Sequence, residues 1–421
     1  MSRFQINPRL RAASTAAIRW LTLRKTYELH PDCLITEYWQ ENYDTFFGYH
    51  DVSPFGAHDQ LLLAGRCPTG SVRRSSRAPM EVGLFDLSQP RPRFESLGTS
   101  TAWCWQQGCR LQWYPDTGSR PQILFNITAD SYHQSCIFDL ETNREVNRLR
   151  RPLYAISSTG SHGVSLDFVR LQRLRPGYGY DDITEMCSND AAPAIDGLWL
   201  VDLHTGNDRL LLSLKEIAAL DPDPSMEGAM HYFNHVLWSP AGDRFFFMHL
   251  WQRSDGRRFN RAFTWSLATS QVSKIGPRRH VSHHCWLDNE HMVLYSNEPA
   301  TGMNYHLYNV SSRCLGVVGD GVLVKDGHPS ISPVKSRLML TDTYPNRFGE
   351  QILLIFDLSS ERLVEVASLY SPSNFRGEMR CDLHPRWSRS GKLLCVDSAH
   401  AGSRRLCVVN VAHLLDSIIN S

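Results

Sequence analysis

Apolar residues along this chain arrive in short bursts. "RFFFMHL" (244–250), "HMVLY" (291–295), "RLMLT" (337–341) and "KLLCV" (392–396) each follow a turn-rich stretch such as "PAGD", "DNE", "PVKS" or "RSG". Runs of this length are too short for the average helix. Bounded by Gly, Pro, Asp and Asn and rich in β-branched and aromatic residues, they read as strands joined by hairpin turns.

Two phrases recur around these strands. The first is seen best in "HYFNHVLWSP", with His235 three residues before Trp238 and five before Pro240. Its other copies are "YHDVSP" at Tyr49, "RLQWYP" at Arg110, "HGVSLD" at His162, "HHCWLD" at His283, "HPSISP" at His328 and "HPRWSR" at His384. The second phrase is an apolar pair, then Asp, Asn or Ser, then Leu or Val. It ends at Leu87, Leu140, Leu203, Leu267, Val310, Leu358 and Val411. Each phrase occurs seven times, and each second phrase follows a copy of the first. Seven repeats of several short strands predict an all-β fold, a seven-bladed β-propeller in a single domain.

The expected boundaries are a basic, partly helical N-terminal segment over 1–39, the propeller over 40–412, and a short helix or tail over 413–421. "CLITEYWQ" is a candidate strand for closing the last blade. The tracts 69–80 and 171–197 read as blade insertions on an end face of the disc.

In a propeller the first strand of each blade lines the central channel. The aligned positions Tyr49, Arg110, His162, His235, His283, His328 and His384 are therefore expected to form one polar ring. His50, His231, His280 and His284 lie within four residues of members of that ring. A lone histidine at a strand entrance is most simply a channel-lining group bonded to a backbone carbonyl. Five in one column suit metal binding or proton transfer near neutral pH.

Composition changes this picture little. The chain is 42% apolar and 21% charged, with a formal charge of +1, so no global field points to nucleic acid. Eleven cysteines without CxxC spacing suggest reduced thiols and a cytoplasmic setting. No stretch is long and apolar enough for an integral membrane segment. The first 27 residues hold six basic and no acidic residues. An arm packed on the main domain and a peripheral membrane-surface helix both fit this segment.

Tyr, His and Arg converging in a channel mouth suit proton abstraction next to a carboxylate, as in β-elimination of a 4-linked uronic acid. The C5 proton is weakly acidic, so the carboxylate must be neutralised by a cation or strong donors. On this reading Arg110 clamps the carboxylate, His162 removes the C5 proton and Tyr49 protonates the leaving O4. His50, His284 and His384 are expected to contact substrate. A His cluster could also hold a divalent metal.

"HVLWSPAGDRFFFMHLW" followed by "HVSHHCW" resembles the oligogalacturonate lyases, over residues 231–400. A looser likeness extends to TolB-type propellers, through "WSP", and to seven-bladed ulvan lyases. The resemblance implies a manganese-type ion in the channel, with His235, His280, His283 and His328 as the metal-ligating positions. Zinc, which Cys285 would favour, and calcium are the alternative ions. It also implies an acidic glycan as partner. Where that family has an acidic "CHEGP" segment this chain has "MHLWQR". A non-catalytic propeller that binds a glycan or a protein is the competing reading, since propellers serve widely as binding platforms. A hydrolase, or another metal-dependent propeller enzyme, is a third. The column contains no carboxylate pair of the kind a glycosidase needs.

Overall fold

The computed structural model describes residues 25–70, 79–115 and 121–420. The basic segment before Lys25 and most of the 69–80 tract lie outside the described residues. Seven antiparallel sheets succeed one another along the chain as the blades of a propeller. The innermost strands are Tyr43–Phe46, Gln112–Trp113, Ala155–Ile156, Met230–Trp238, Val281–Trp286, Ser330–Ile331 and Arg386–Trp387.

Both repeated phrases turn out to be turn devices. In every blade a backbone N–H closes the first hairpin: Gly56 to Leu61, Tyr114 to Gln122, Ser157 to His162, Ser239 to Arg244, Leu287 to His291, Ser332 to Leu338 and Ser388 to Leu393. The second phrase ends the third strand. Its last residue donates to the carbonyl just before the second strand, as from Leu87 to Gln60 and from Leu358 to Arg337. The Asp of this phrase then accepts from the following turn, as Asp86 does from Ser88 and Asp357 from Ser359.

The tryptophan of the first phrase fastens neighbouring blades. Trp113, Trp238, Trp286 and Trp387 donate Nε1–H to the carbonyls of Pro54, Ala155, Leu237 and Ser330, at 2.8, 3.2, 3.1 and 3.4 Å. Each acceptor lies on or beside the inner strand of the preceding blade. The apolar bursts, such as Phe246–Phe247, Val293–Leu294 and Leu394, are fully buried because a blade packs between two others.

Leu34–Tyr38 pairs with Arg405–Asn410 as the outermost strand of the seventh blade, and Tyr27–Leu29 adds a fifth strand to the sixth. Both precede the boundary drawn at residue 40, so the ring takes in the chain from Tyr27. The Asp397 carboxylate completes the closure by accepting from the backbone N–H groups of Phe47 and Gly48 in the first blade. Ala412–Asn420 is the C-terminal helix. Among the described residues no helix is long and apolar enough to cross a membrane.

The insertion after His162–Ser165 folds over the channel mouth. Asp167 caps the helix Phe168–Leu174, accepting from the N–H groups of Val169 and Arg170. Buried Arg170 ties it down through the carbonyls of His231, Asp190 and Ala191 and through Glu185. His133 of the second blade pairs with its Asp182 at 2.7 Å. The segment so held carries Arg175 and Tyr178 to the centre of the ring.

Candidate functional site

The hairpin bonds define the register of the ring. Four residues ahead of each closing N–H stand Val52, Arg110, Leu153, His235, His283, His328 and His384. Five of the seven expected residues therefore share the column, while the first and third blades depart from it.

In the third blade "HGVSLD" is not the inner strand. His162 accepts the hairpin bond from Ser157, so it opens the second strand, opposite Asp202. This is the far end of the blade, roughly 13 Å along the strand from the ring level. Its Nδ1 meets Ser161 Oγ at 2.9 Å. The position that matches His235 belongs to Leu153, which is buried in apolar core.

In the first blade Tyr49 reaches the centre by another route. Strand pairing stops at Phe46 and resumes at the Phe55–Leu62 bridge. Gly48 between them has φ +136°, and a Cβ there would meet the backbone of Gln107 at 2.8 Å. Only glycine permits this path.

Within the ring Tyr49 is the hub. Its ring stacks on His235 at 5.0 Å and meets His50, His384 and His328 at 4.5, 4.8 and 6.0 Å. Its hydroxyl is buried and has no hydrogen-bond partner. Burial, then the neighbouring tyrosines, pushes that hydroxyl well above its usual pKa, so it stays protonated. Arg110, His235 and His384 share a left-handed backbone, with φ of +54°, +56° and +44°. Such strain in non-glycine residues recurs where side chains are aimed at a site. The inner strands bearing His235 and His283 also shift register there, which re-aims the side chains.

Arg110 is not open to a ligand. Nη1 and Nη2 lie on the Asp51 carboxylate at 3.1 and 2.8 Å, and Nε donates to the Tyr154 carbonyl at 2.7 Å. Three of its five N–H donors are thus engaged inside the fold, and the side chain is buried. Another arginine stands at the mouth instead. Arg175 lines a cleft of about 480 Å³ together with His235, His280, His283, Asn260 and Asn297.

Three imidazoles are oriented through Nδ1. His328 pairs with Asp342 at 2.8 Å, His283 with Asp326 at 2.8 Å and His384 with the Gly48 carbonyl at 2.8 Å. An Nδ1–H held in this way leaves Nε2 as the lone-pair nitrogen. His328 Nε2 and His384 Nε2 are buried without hydrogen-bond partners, and His384 Nε2 lies 3.9 Å from Asp382 Oδ2. With the carboxylate of Asp382 they form a set of candidate metal-ligating atoms lying within 4.8 Å of one another. Burial first, then the crowding of other imidazoles and, for all but His50, nearby arginines, holds His50, His235, His328 and His384 well below the usual histidine pKa. They are neutral, as ligands and bases must be. Two orphaned nitrogens beside a carboxylate fit a divalent ion.

Of the four metal positions implied by resemblance, only His328 belongs to this triad. His280 is exposed on the cleft rim. His283 contacts the His328 ring at 4.2 Å, and its Nε2 faces the Tyr344 hydroxyl at 3.4 Å. His235 lines the cleft. Of the three expected substrate contacts, His384 is a triad member and His50 stands 5.3 Å from the His328 ring. His284 packs on Phe246 at 4.0 Å, and burial pulls it down to about 3. Cys285 points into apolar core, where burial pushes the thiol up to about 12.

Sequence reasoning missed Asp382, Asp326, Asp342, Arg175 and Tyr178. A signal for two of them was present: "DGH" and "DLH" place an Asp two residues before His328 and His384 in successive blades.

The architecture has close parallels among solved structures. An oligogalacturonate lyase in complex with manganese matches with a TM-score of 0.61 and 15% identity, covering 91% of this chain and 96% of that one. The oligogalacturonate lyase from Vibrio parahaemolyticus matches at 0.60 and 14%, again over 91% and 96%. The chain has the seven-bladed propeller fold of these lyases. TolB from Acinetobacter baumannii is looser, at 0.40 and 11% over 91% and 86%. No protein-family model matches the sequence, and none of the curated proteins does.

Proposed function

We propose that the protein cleaves a uronate-containing oligosaccharide by β-elimination at the channel mouth, with a divalent metal held by His328, Asp382 and His384. The observation that carries this reading is the pair of Nε2 atoms without hydrogen-bond partners converging with a carboxylate beside a cleft lined by Arg175 and three histidines. His328, Asp382 and His384 would hold the ion, which when bound would supply positive charge to offset the substrate carboxylate and make the enolate-like state less costly.

The chain's own residues divide the remaining work. Arg175 takes the clamping role first read into Arg110, because it lines the cleft while Arg110 is bound to Asp51. His235 takes the base role first read into His162. It lines the cleft, burial keeps it neutral, and its Nδ1 has no partner. His235 accepts the C5 proton, the C4–O4 bond breaks, and a C4=C5 double bond forms. The protonated Tyr49 hydroxyl supplies a proton to the departing O4.

The test is absorbance in the unsaturated-uronate band when oligogalacturonate and Mn(II) are mixed with the protein. A steady rise supports the reading. No rise across a panel of acidic glycans, with binding still measurable, replaces it with a non-catalytic glycan-binding propeller.

A further inference from the structure

Arg380 lies just ahead of the inner strand Arg386–Trp387 of the seventh blade. Its Nε donates to Asp382 Oδ2 at 2.5 Å, and its Nη2 donates to the Tyr178 hydroxyl. The first acceptor belongs to the triad, and the second to the inserted segment that carries Arg175. The Arg175 guanidinium in turn rests on the Tyr178 ring, 4.4 Å from its centre. One side chain therefore touches both a candidate metal ligand and the support of the carboxylate clamp.

Arg380 is fixed at its backbone as well as at its tip. Its carbonyl accepts from Gln106 Nε2 at 2.8 Å and from Arg404 Nη2 at 3.1 Å. The Met379 carbonyl accepts from the same Arg404 nitrogen at 2.7 Å. A guanidinium held in this way directs its donors along set lines, which a flexible ammonium does not. The Asp382 side chain is buried, so its carboxylate takes its orientation from the partners it finds there.

We infer that Arg380 is a positioning residue, which holds the Asp382 carboxylate in its ligating orientation and is itself braced by Tyr178. This inference rests on the metal-bearing reading of the site proposed above. A role as counter-charge alone has the opposite sign. A guanidinium beside the site repels a divalent ion, so losing a mere counter-charge tightens metal binding. Losing the hydrogen bond that orients a ligating carboxylate loosens it, typically by about 10–100-fold.

The test is calorimetric titration of the full chain with Mn(II) alone, with the fold checked by circular dichroism. Arg380→Gln should weaken Mn(II) binding by about tenfold or more. Arg380→Lys keeps the charge that the buried carboxylate needs to fold, and should still weaken binding by about threefold or more. Tyr178→Phe removes only the brace, and should weaken binding by about threefold in the wild type. In the Arg380→Gln background the same change should have no effect, because the brace acts through Arg380. A general loosening of the fold would instead add in both backgrounds. Unchanged or tighter binding in either Arg380 variant, or additive effects of the two positions, overturns the inference and leaves the triad standing. Failure of Mn(II) to bind the wild type overturns the metal-bearing reading itself, and this inference with it.

Discussion

The guanidinium of Arg110 lies bidentate on the Asp51 carboxylate at 3.1 and 2.8 Å, with both side chains buried. This relationship turns an expected substrate clamp into a structural strut. Replacing Arg110 with Met strands a buried carboxylate, which costs about 3–5 kcal/mol. Urea denaturation of Arg110→Met should show that loss. A variant as stable as the wild type would return Arg110 to the list of free site residues.

His162 gives the converse expectation. It is only partly buried, and its ring bonds to the adjacent Ser161 at the far end of the blade. His162→Ala should change stability by less than about 1 kcal/mol. It should also leave Mn(II) affinity and any elimination rate within about twofold of wild type. A hundredfold loss of turnover, the usual worth of a general base, would show that the ring register is misassigned.

Asp342 acts on the triad through His328, whose backbone N–H and Nδ1 it accepts at 2.7 and 2.8 Å. Burial pushes this carboxyl up to about 7, although the His328 backbone bond works against the rise. Partners of a ligating histidine typically contribute 10–100-fold to metal affinity. Asp342→Asn should weaken Mn(II) binding by about tenfold in calorimetric titration, with the fold intact by circular dichroism. Unchanged affinity would separate His328 from the metal site.

Acid should destabilise the protein through its buried histidines. Burial holds His231 at about 4 and His284 at about 3, and pushes His249 well down too. These groups stay neutral when folded and take up protons once unfolded, so the unfolded state binds more protons below the unperturbed value of about 6.5. The stability is present above about pH 6.5 and is lost as the pH falls towards 4, by about 1.4 kcal/mol per pH unit for each such histidine. Urea midpoints measured with chelator at pH 7.5, 6 and 5 should fall progressively. A flat profile over that range would mean that these rings are already charged in the fold.

The sequence by itself determined the ring of seven blades, because blade identity is a local matter. Each copy of the two phrases forms a hairpin bond or ends a third strand through residues a few positions apart. The Trp of the first phrase needs only a preceding blade to receive its N–H. The same local logic put Arg110, His235, His283, His328 and His384 in one column.

Only the tertiary structure decided what that column does. "HGVSLD" matches the phrase in letters, but hairpin closure at Ser157 makes Leu153 the ring residue and sends His162 to the far end. Nothing near Arg110 in the chain announces that Asp51 will neutralise it, or that Arg175 will reach the mouth on an inserted loop. The triad joins His328 to Asp382 and His384 across two blades, and Gly48 pins His384 from the other end of the chain. Hairpins are set by hydrogen bonds between near neighbours. A site on the propeller axis is set by which side chains of distant blades are left unpaired where the ring closes.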